Sequence, residues 1–179
     1  MTVRNTRRRS RLLAGAVIAA VLVLGTGLYW FQPWKLWQNA TVSEALPVAT
    51  AAPTAGSNAA AGPRTVASGE LISHEHATTG SVKIVRLADG SHTLRLENLD
   101  TSNGPDLRVL LSDAPVKEGV AGWRVFDDGK YVSLGKLKGN KGDQNYELPS
   151  AVDLSQYTSV SIWCDRFDVS FGAATLAKA

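Results

Sequence analysis

The sequence from residue 68 onward predicts an all-β fold, a sandwich or a barrel, and the arrangement that we expect is an antiparallel β-sandwich of jelly-roll-like type. Apolar and polar residues alternate there in short segments, and clusters of Gly, Asn, Asp and Pro separate the segments at near-regular spacing. No helical periodicity longer than a turn or two is present in this part of the sequence. A domain of this length can bury one hydrophobic core. The predicted strands are 69–73, 81–86, 93–97, 107–111, 131–134, 145–148, 159–167 and 169–176.

The apolar segment 12–31 predicts one transmembrane helix before this domain. It carries no charged residue over its 20 positions, and about 20 residues are needed to cross the hydrocarbon core of a bilayer. Five arginines within residues 1–11 favour the cytoplasmic side for that end, and Trp30, Trp34 and Trp37 suit the opposite interface. We therefore expect an uncleaved, single-pass signal anchor in the cell membrane, with a cytoplasmic tail (1–11) and an extracytoplasmic C-terminal domain. A cleaved secretory signal is the alternative.

Residues 32–67 predict a linker between the membrane segment and the folded domain 68–179. Ala, Thr, Ser, Gly and Pro dominate this segment, which lacks apolar periodicity and so cannot bury a core. We expect a disordered tether that holds the domain away from the bilayer.

The distribution of charge excludes nucleic acid as a partner. The chain has a formal net charge of +3, but residues 68–179 contain 12 Lys and Arg against 15 Asp and Glu, a net charge of −3. The basic excess therefore belongs to the N-terminal tail and not to the surface of the domain.

Cys164 is the only cysteine of the chain and lies in the predicted strand 159–167. Extracytoplasmic proteins usually pair their cysteines or avoid them. An unpaired thiol is therefore an inert core residue, an intermolecular partner, or a redox or ligand atom. Strand alternation places Cys164 on the inward face and Trp163 on the opposite one. Arg166 is a second neighbour, which would lower the pKa of the thiol if it lay on the same side.

His74, His76 and His92 are candidate metal ligands. Residues i and i+2 of a strand face the same way, so His74 and His76 form a plausible pair, and His92 could join them from a neighbouring strand. The alternative is a pair of surface histidines in a loop, because no carboxylate cluster supports a metal site.

The Gly- and Lys-rich segment 135–143 predicts a mobile hairpin loop with positive φ angles at its glycines. Its spacing is not that of a phosphate-binding loop. The sequence also lacks a nucleophile-elbow motif, an HExxH motif and a dinucleotide fingerprint. Nothing in it therefore indicates an enzyme.

Four segments, HEHATTGSVKIV, DGSHTLRLENLDTSNGPDLRVLLS, YVSLGKLKGNKGDQNYELP and SVSIWCDRFDVSFGAATL, together resemble the DM-thirteen family, the electron-transfer DM domains. The resemblance covers residues 68–176. It implies an extracytoplasmic β-sandwich, often membrane-tethered in bacteria, with a redox or electron-transfer role at the cysteine that matches Cys164. It names no cofactor; the implied partner is another redox protein of the cell envelope. The alternative is an envelope binding or adhesion module in which Cys164 is structural.

Overall fold

A computed structural model describes residues 3–47 and 62–179 of the chain. The chain divides into two compact units, Met1–Lys35 and Leu36–Ala179. The first consists mainly of helix α1 (Val3–Phe31), and a 3-10 helix follows at Pro33–Trp37. The second contains the strands.

Helix α1 is apolar over Arg11–Phe31, and its apolar side chains are exposed. Among the described residues it is the one helix long and apolar enough to cross a membrane, a property that signal sequences share. This finding is compatible with the predicted anchor at 12–31.

The second unit is a β-sandwich of two sheets, in which every strand pair is antiparallel except β1 with β8. This confirms the predicted fold class. Sheet A runs β1 (Thr41–Ser43), β8 (Lys141–Leu148), β5 (His92–Asp100), β4 (Thr79–Arg86), β2 (Arg64–Glu70) and β11 (Ala177–Lys178). Sheet B runs β3 (Ile72–Ser73), β10 (Val169–Thr175), β9 (Ser159–Cys164), β6 (Leu107–Ser112) and β7 (Tyr131–Lys136).

The main core lies between the two sheets. Sheet A contributes alternate residues of β4 and β5, which the period of two in the sequence predicts. The largest contributions are from Val82, Ile84, Leu94 and Leu96 in sheet A, and Val109, Leu111, Val160 and Ile162 in sheet B, all 0–2% exposed.

Sheet B is also covered on its outer face. Trp163 and Leu110 form a second apolar cluster there with Phe126, which belongs to the connection between β6 and β7. The Phe126 and Trp163 rings meet edge-on, with centroids 6.5 Å apart. Strand β9 is therefore buried on both faces, although its sequence alternates like that of a strand with one solvent face.

The structure corrects the predicted linker at both ends. Thr41–Ser43 form an edge strand beside β8, and β2 begins at Arg64, so neither stretch is a free tether. Strand β1 gives no apolar signal in the sequence because it is only three residues long and pairs with β8 through backbone groups. Residues 48–61 of the predicted linker lie outside the described residues.

The Gly- and Lys-rich segment 135–143 is not a hairpin. Strand β7 belongs to sheet B and β8 to sheet A, so the segment crosses between the sheets. Gly135 and Gly142 have the predicted positive φ, 108° and 92°. The Gln144 side chain, fully buried, accepts hydrogen bonds from the Lys138 and Gly139 amides (3.1 and 3.3 Å) and donates to the Gly139 carbonyl (2.8 Å). These bonds hold the crossing in place.

Candidate functional site around Cys164

Cys164 is the last residue of β9 and lies opposite Leu107 on β6 and Val169 on β10. Its side chain is 0% exposed and belongs to the main core with Val160 and Ile162, as the strand alternation predicts. The chain then turns over 165–168, where the Phe167 amide donates to the Cys164 carbonyl at 3.2 Å. Cys164 therefore lies at the end of a strand, directly before a turn at one end of the sandwich.

Two opposing influences act on the Cys164 sulfur. Burial is the larger one, and it raises the pKa of the thiol above its ordinary value. Hydrogen bonds from the backbone N–H groups of Arg166, Phe167 and Asp106 act in the opposite direction, while the nearby Glu75 carboxylate adds to the upward shift. Because burial is the larger influence, the Cys164 thiol is protonated at neutral pH.

Arg166 affects the pKa of the Cys164 thiol through its backbone and not through the charge of its side chain. The strand ends at Cys164, so the expected i, i+2 relation on one strand face does not apply to Arg166. The Arg166 amide instead belongs to the three N–H groups on the sulfur.

Trp163 lies on the other side of sheet B from Cys164. It is 1% exposed and packs in the outer cluster, whereas the sulfur faces the main core. Adjacent residues of a strand point to opposite faces, so the indole is not a wall of the thiol site.

Two aromatic residues that the sequence did not single out, Phe171 and Trp123, lie near this end of the sandwich. Phe171, 3% exposed, shares the core with Cys164, and its ring lies against that of His76 at a tilt of 36°, with centroids 3.9 Å apart. The Trp123 carbonyl accepts the Ser170 amide at 2.8 Å. The buried Trp123 indole nitrogen has no hydrogen-bond partner within the described residues. The FG pair after WC is the signal in the sequence that could have identified Phe171.

The three histidines do not come together. His74 packs outside sheet B against Phe126 (centroids 5.8 Å apart), whereas His76 contacts Phe171 of the main core. The expectation that His74 and His76 face the same way is therefore wrong, because the chain bends after β3 at Ser73. His92 begins β5 in the other sheet.

His74 is a structural residue of a buried polar network. One ring nitrogen, Nδ1, lies 2.8 Å from Ser170 Oγ, and Nε2 lies 3.1 Å from the Lys117 carbonyl. The Ser161 hydroxyl donates to Ser170 Oγ at 2.9 Å. Burial lowers the pKa of His74, so the ring is neutral at physiological pH. Both nitrogens are occupied.

The described residues, 3–47 and 62–179, contain no group of three or more His, Cys, Asp or Glu side chains arranged to hold a metal ion. A ligand set that includes Cys164 would require the turn 165–168 to move, because the sulfur is enclosed.

The chain enters the sandwich at the same end as Cys164. The Asn103 side chain donates to the Gln38 carbonyl at 3.1 Å, and Asn103 lies in the loop that leads to Leu107, the residue opposite Cys164. The buried Asn140 side chain fixes the next residues, donating to Asn39 Oδ1 and accepting the Ala40 amide, both at 2.8 Å.

The domain is thus a β-sandwich that buries the single cysteine of the chain, and this thiol is the most distinctive chemical group at this end of the sandwich. The sequence profile of the family described as "Electron transfer DM13" matches residues 70–176, which is more than half of the chain. The chain belongs to this electron-transfer family. Comparisons with curated proteins and with solved structures give no match.

Proposed function

We propose that this chain is a single-pass membrane protein that carries an electron-transfer domain outside the cytoplasm, with Cys164 as the redox-active residue. The family assignment supports the general role. The apolar helix Arg11–Phe31 and the arginines before it support the anchor and its orientation.

The observation that carries the role of Cys164 is its place in the matched domain: the one cysteine of the chain lies within residues 70–176, at the end of β9. The turn 165–168 follows it directly, so a displacement of that turn would expose the thiol.

One route by which a lone thiol takes part in redox exchange is thiol–disulfide exchange with an envelope redox protein. The Cys164 thiol loses its proton, the sulfur attacks one sulfur of the partner's disulfide, the partner's S–S bond breaks, and the other sulfur leaves and takes up a proton. In the mixed disulfide the Cys164 sulfur has been oxidised and the leaving sulfur of the partner has been reduced. Because the sulfur is buried, this step requires displacement of the turn 165–168, so access to the turn controls the reaction.

The test is thiol accessibility and trapping in the full-length chain. Cells are quenched with N-ethylmaleimide, and adducts are separated with and without reductant. We expect a reductant-sensitive adduct that is absent from Cys164→Ala, and labelling of the native thiol that is slower than in denaturant yet measurable. The chain has one cysteine, so every signal is assigned without ambiguity.

The second candidate is an envelope binding module in which Cys164 is structural, and the complete burial of the sulfur favours it. This candidate predicts no adduct and labelling only after unfolding. That pair of results would contradict the redox proposal.

A further inference from the structure

The turn 165–168 follows Cys164 directly and lies against the core that contains its thiol. The Phe167 side chain packs against that core, and the Phe167 amide donates to the Cys164 carbonyl at 3.2 Å. Backbone groups of Arg166 and Phe167 also form hydrogen bonds with the thiol. Because Cys164 is 0% exposed, a reagent in solution reaches its sulfur only if an adjoining segment moves.

The first residue of this turn is attached to sheet B. The Asp165 amide donates to the Asp106 carbonyl at 2.9 Å, and the Asp165 carboxylate lies 3.2 Å from Nε of Arg108 on β6. The ion pair is partly exposed, so solvent weakens it. Asp165 and Asp168 are exposed, which is typical of segments that open before a domain unfolds.

The last two residues of the turn are attached to Arg124, in the connection between β6 and β7. One nitrogen of its guanidinium, Nη1, donates to the Phe167 carbonyl at 2.9 Å and to the Asp168 carbonyl at 3.1 Å. Hydrogen bonds from a charged donor are stronger than those between neutral groups. A single side chain therefore holds the far end of the turn.

The chain on both sides of Arg124 is anchored in the domain. Trp123 packs against the main core, and its carbonyl accepts the Ser170 amide at 2.8 Å. Phe126, 0% exposed, belongs to the cluster outside sheet B. Arg124 thus projects from a fixed support, and the turn is the part that can move away from it.

Carboxylates of the turn and of this connection repel each other. Burial raises the pKa of Asp127, and three neighbouring carboxylates raise it further: Asp168, Asp128 and Asp165. Asp127 and Asp128 follow Arg124 in the connection, whereas the other two belong to the turn. Like charges on two elements favour their separation. The bonds from Arg124 oppose it.

We propose that the turn 165–168 is a gate for Cys164, which opens while the sandwich stays folded, and that Arg124 holds it closed. When Arg124 releases the two carbonyls, the turn moves away from the core and the thiol becomes accessible. As a control of electron transfer the gate rests on the proposed redox role of Cys164, but its opening is a property of the domain. Arg124 is a positioning residue, because it acts on the thiol through the turn.

The test is the rate at which N-ethylmaleimide labels Cys164 in the purified full-length chain, held in lipid nanodiscs. The chain contains one cysteine, so the intact mass reports the label directly. Urea denaturation of the same samples measures unfolding of the domain. We expect a labelling rate that is nearly constant at low urea, because local opening exposes little surface, and that rises only where the domain unfolds.

Arg124→Gln should increase the labelling rate about tenfold, because the turn loses the hydrogen bonds of a charged donor at an exposed site. The urea midpoint should change little. Lys130→Gln is the matched control, since Lys130 is an exposed cation of the same connection that donates to Gln156 Oε1 at 3.0 Å and not to the turn. Its labelling rate should equal that of the unmodified chain.

A second pair of variants, at Asp168, changes the turn and leaves Arg124 in place. The φ angle of Asp168 is 49°, in the left-handed region, where a β-branched side chain is strained and Asn is tolerated. Asp168→Val should therefore destabilise the closed turn and increase the labelling rate. Asp168→Asn should label no faster than the unmodified chain.

Two results would overturn the gate: labelling that follows unfolding of the domain at every urea concentration, or equal rates in Arg124→Gln and Lys130→Gln. If Arg124→Gln fails to fold, equal rates in the two Asp168 variants overturn it instead. Fast labelling of Arg124→Gln without any mixed-disulfide adduct in cells would support the gate and contradict the redox role. Adduct formation with unchanged labelling rates in all variants would do the reverse.

Discussion

At the scale of single residues, burial opposes the charged forms of two groups on the two faces of sheet B. Cys164 lies in the main core with a raised pKa, and His74 lies outside the sheet with a lowered pKa. Burial is the largest influence on the pKa of Cys164, and backbone groups of Arg166, Phe167 and Asp106 act in the opposite direction. His74, whose ring nitrogens lie within hydrogen-bond distance of Ser170 and the Lys117 carbonyl, is held as a neutral ring.

His74 should make the domain sensitive to mild acid. The unfolded chain binds a proton at the ordinary His pKa, near 6.5, while the folded chain does so only at lower pH. The stability that the neutral His74 ring contributes is therefore fully present above about pH 6.5, and it is lost as the pH falls toward the lowered pKa of the folded state. We expect the free energy of unfolding to decrease between pH 7 and pH 5, measured by urea denaturation.

The test variant is His74→Gln, compared with the unmodified chain. Gln at position 74 keeps hydrogen-bonding groups but does not titrate, so the free energy of unfolding should depend less steeply on pH. Burial also lowers the pKa of His76, and this residue should account for part of the remaining pH dependence. An unchanged slope in His74→Gln would contradict the assignment of a buried neutral ring.

At the scale of elements, polar side chains hold the connections that join the two sheets. Gln144 binds the crossing before β8, and its Oε1 also accepts the Tyr146 hydroxyl at 2.7 Å. Asn140 donates to the Thr101 carbonyl at 2.7 Å and thereby links this crossing to the end of β5. The polar run Lys138 to Tyr146 is thus a structural element, although its composition resembles that of an exposed loop.

Gln144→Leu should destabilise the domain by about 3 kcal/mol, because the Gly139 carbonyl and the Lys138 and Gly139 amides would lose a buried partner. Chemical denaturation measures the change. Gln156→Ala, at an exposed position, should change the stability by less than about 0.5 kcal/mol. A Gln144→Leu variant as stable as the control would show that the network is not a source of stability.

Glu44 fixes the edge strand β1. Its carboxylate lies 2.8 Å from Lys138 Nζ and accepts the Asn145 amide at 2.8 Å. The Arg95 guanidinium donates to the Glu44 carbonyl at 2.9 Å.

Glu44→Ala should therefore increase hydrogen exchange of amides in 41–45 and cost about 1 kcal/mol of stability, a small value because the ion pair is partly exposed. Glu118→Ala, an exposed acid outside the strands, serves as the control. Exchange that stays equally slow in both variants would show that the strand pairs without this carboxylate.

At the scale of the whole molecule, the sandwich includes strands that come before residues 48–61 in the sequence and strands that come after them. Strand β1 comes before them and β2 after them, and both belong to sheet A. The sequence of 48–61 still predicts an accessible linker, rich in Ala, with Pro53.

Protease applied to intact cells should therefore cut at 48–61 if the domain is outside the cytoplasm. The fragment from 62 onward should stay bound to the anchor through β1 and be released by urea, as judged by its sedimentation with membranes. Glu44→Ala should release it at lower urea concentration. Complete protection of the domain in intact cells would contradict the extracytoplasmic placement, and immediate release after cutting would contradict the pairing of β1.

The sequence by itself determined the apolar helix, the all-β class and the inward direction of Cys164, because hydrophobic periodicity over consecutive residues encodes each of them. It could not determine the packing of Trp163 and Phe126, the separation of His74 from His76, or the edge strand at Thr41. Each of these depends on residues far apart in the chain that meet only after the sheets form. Only the packing of the two sheets decided that the thiol is enclosed, because the residues that cover it come together when the sheets form the core.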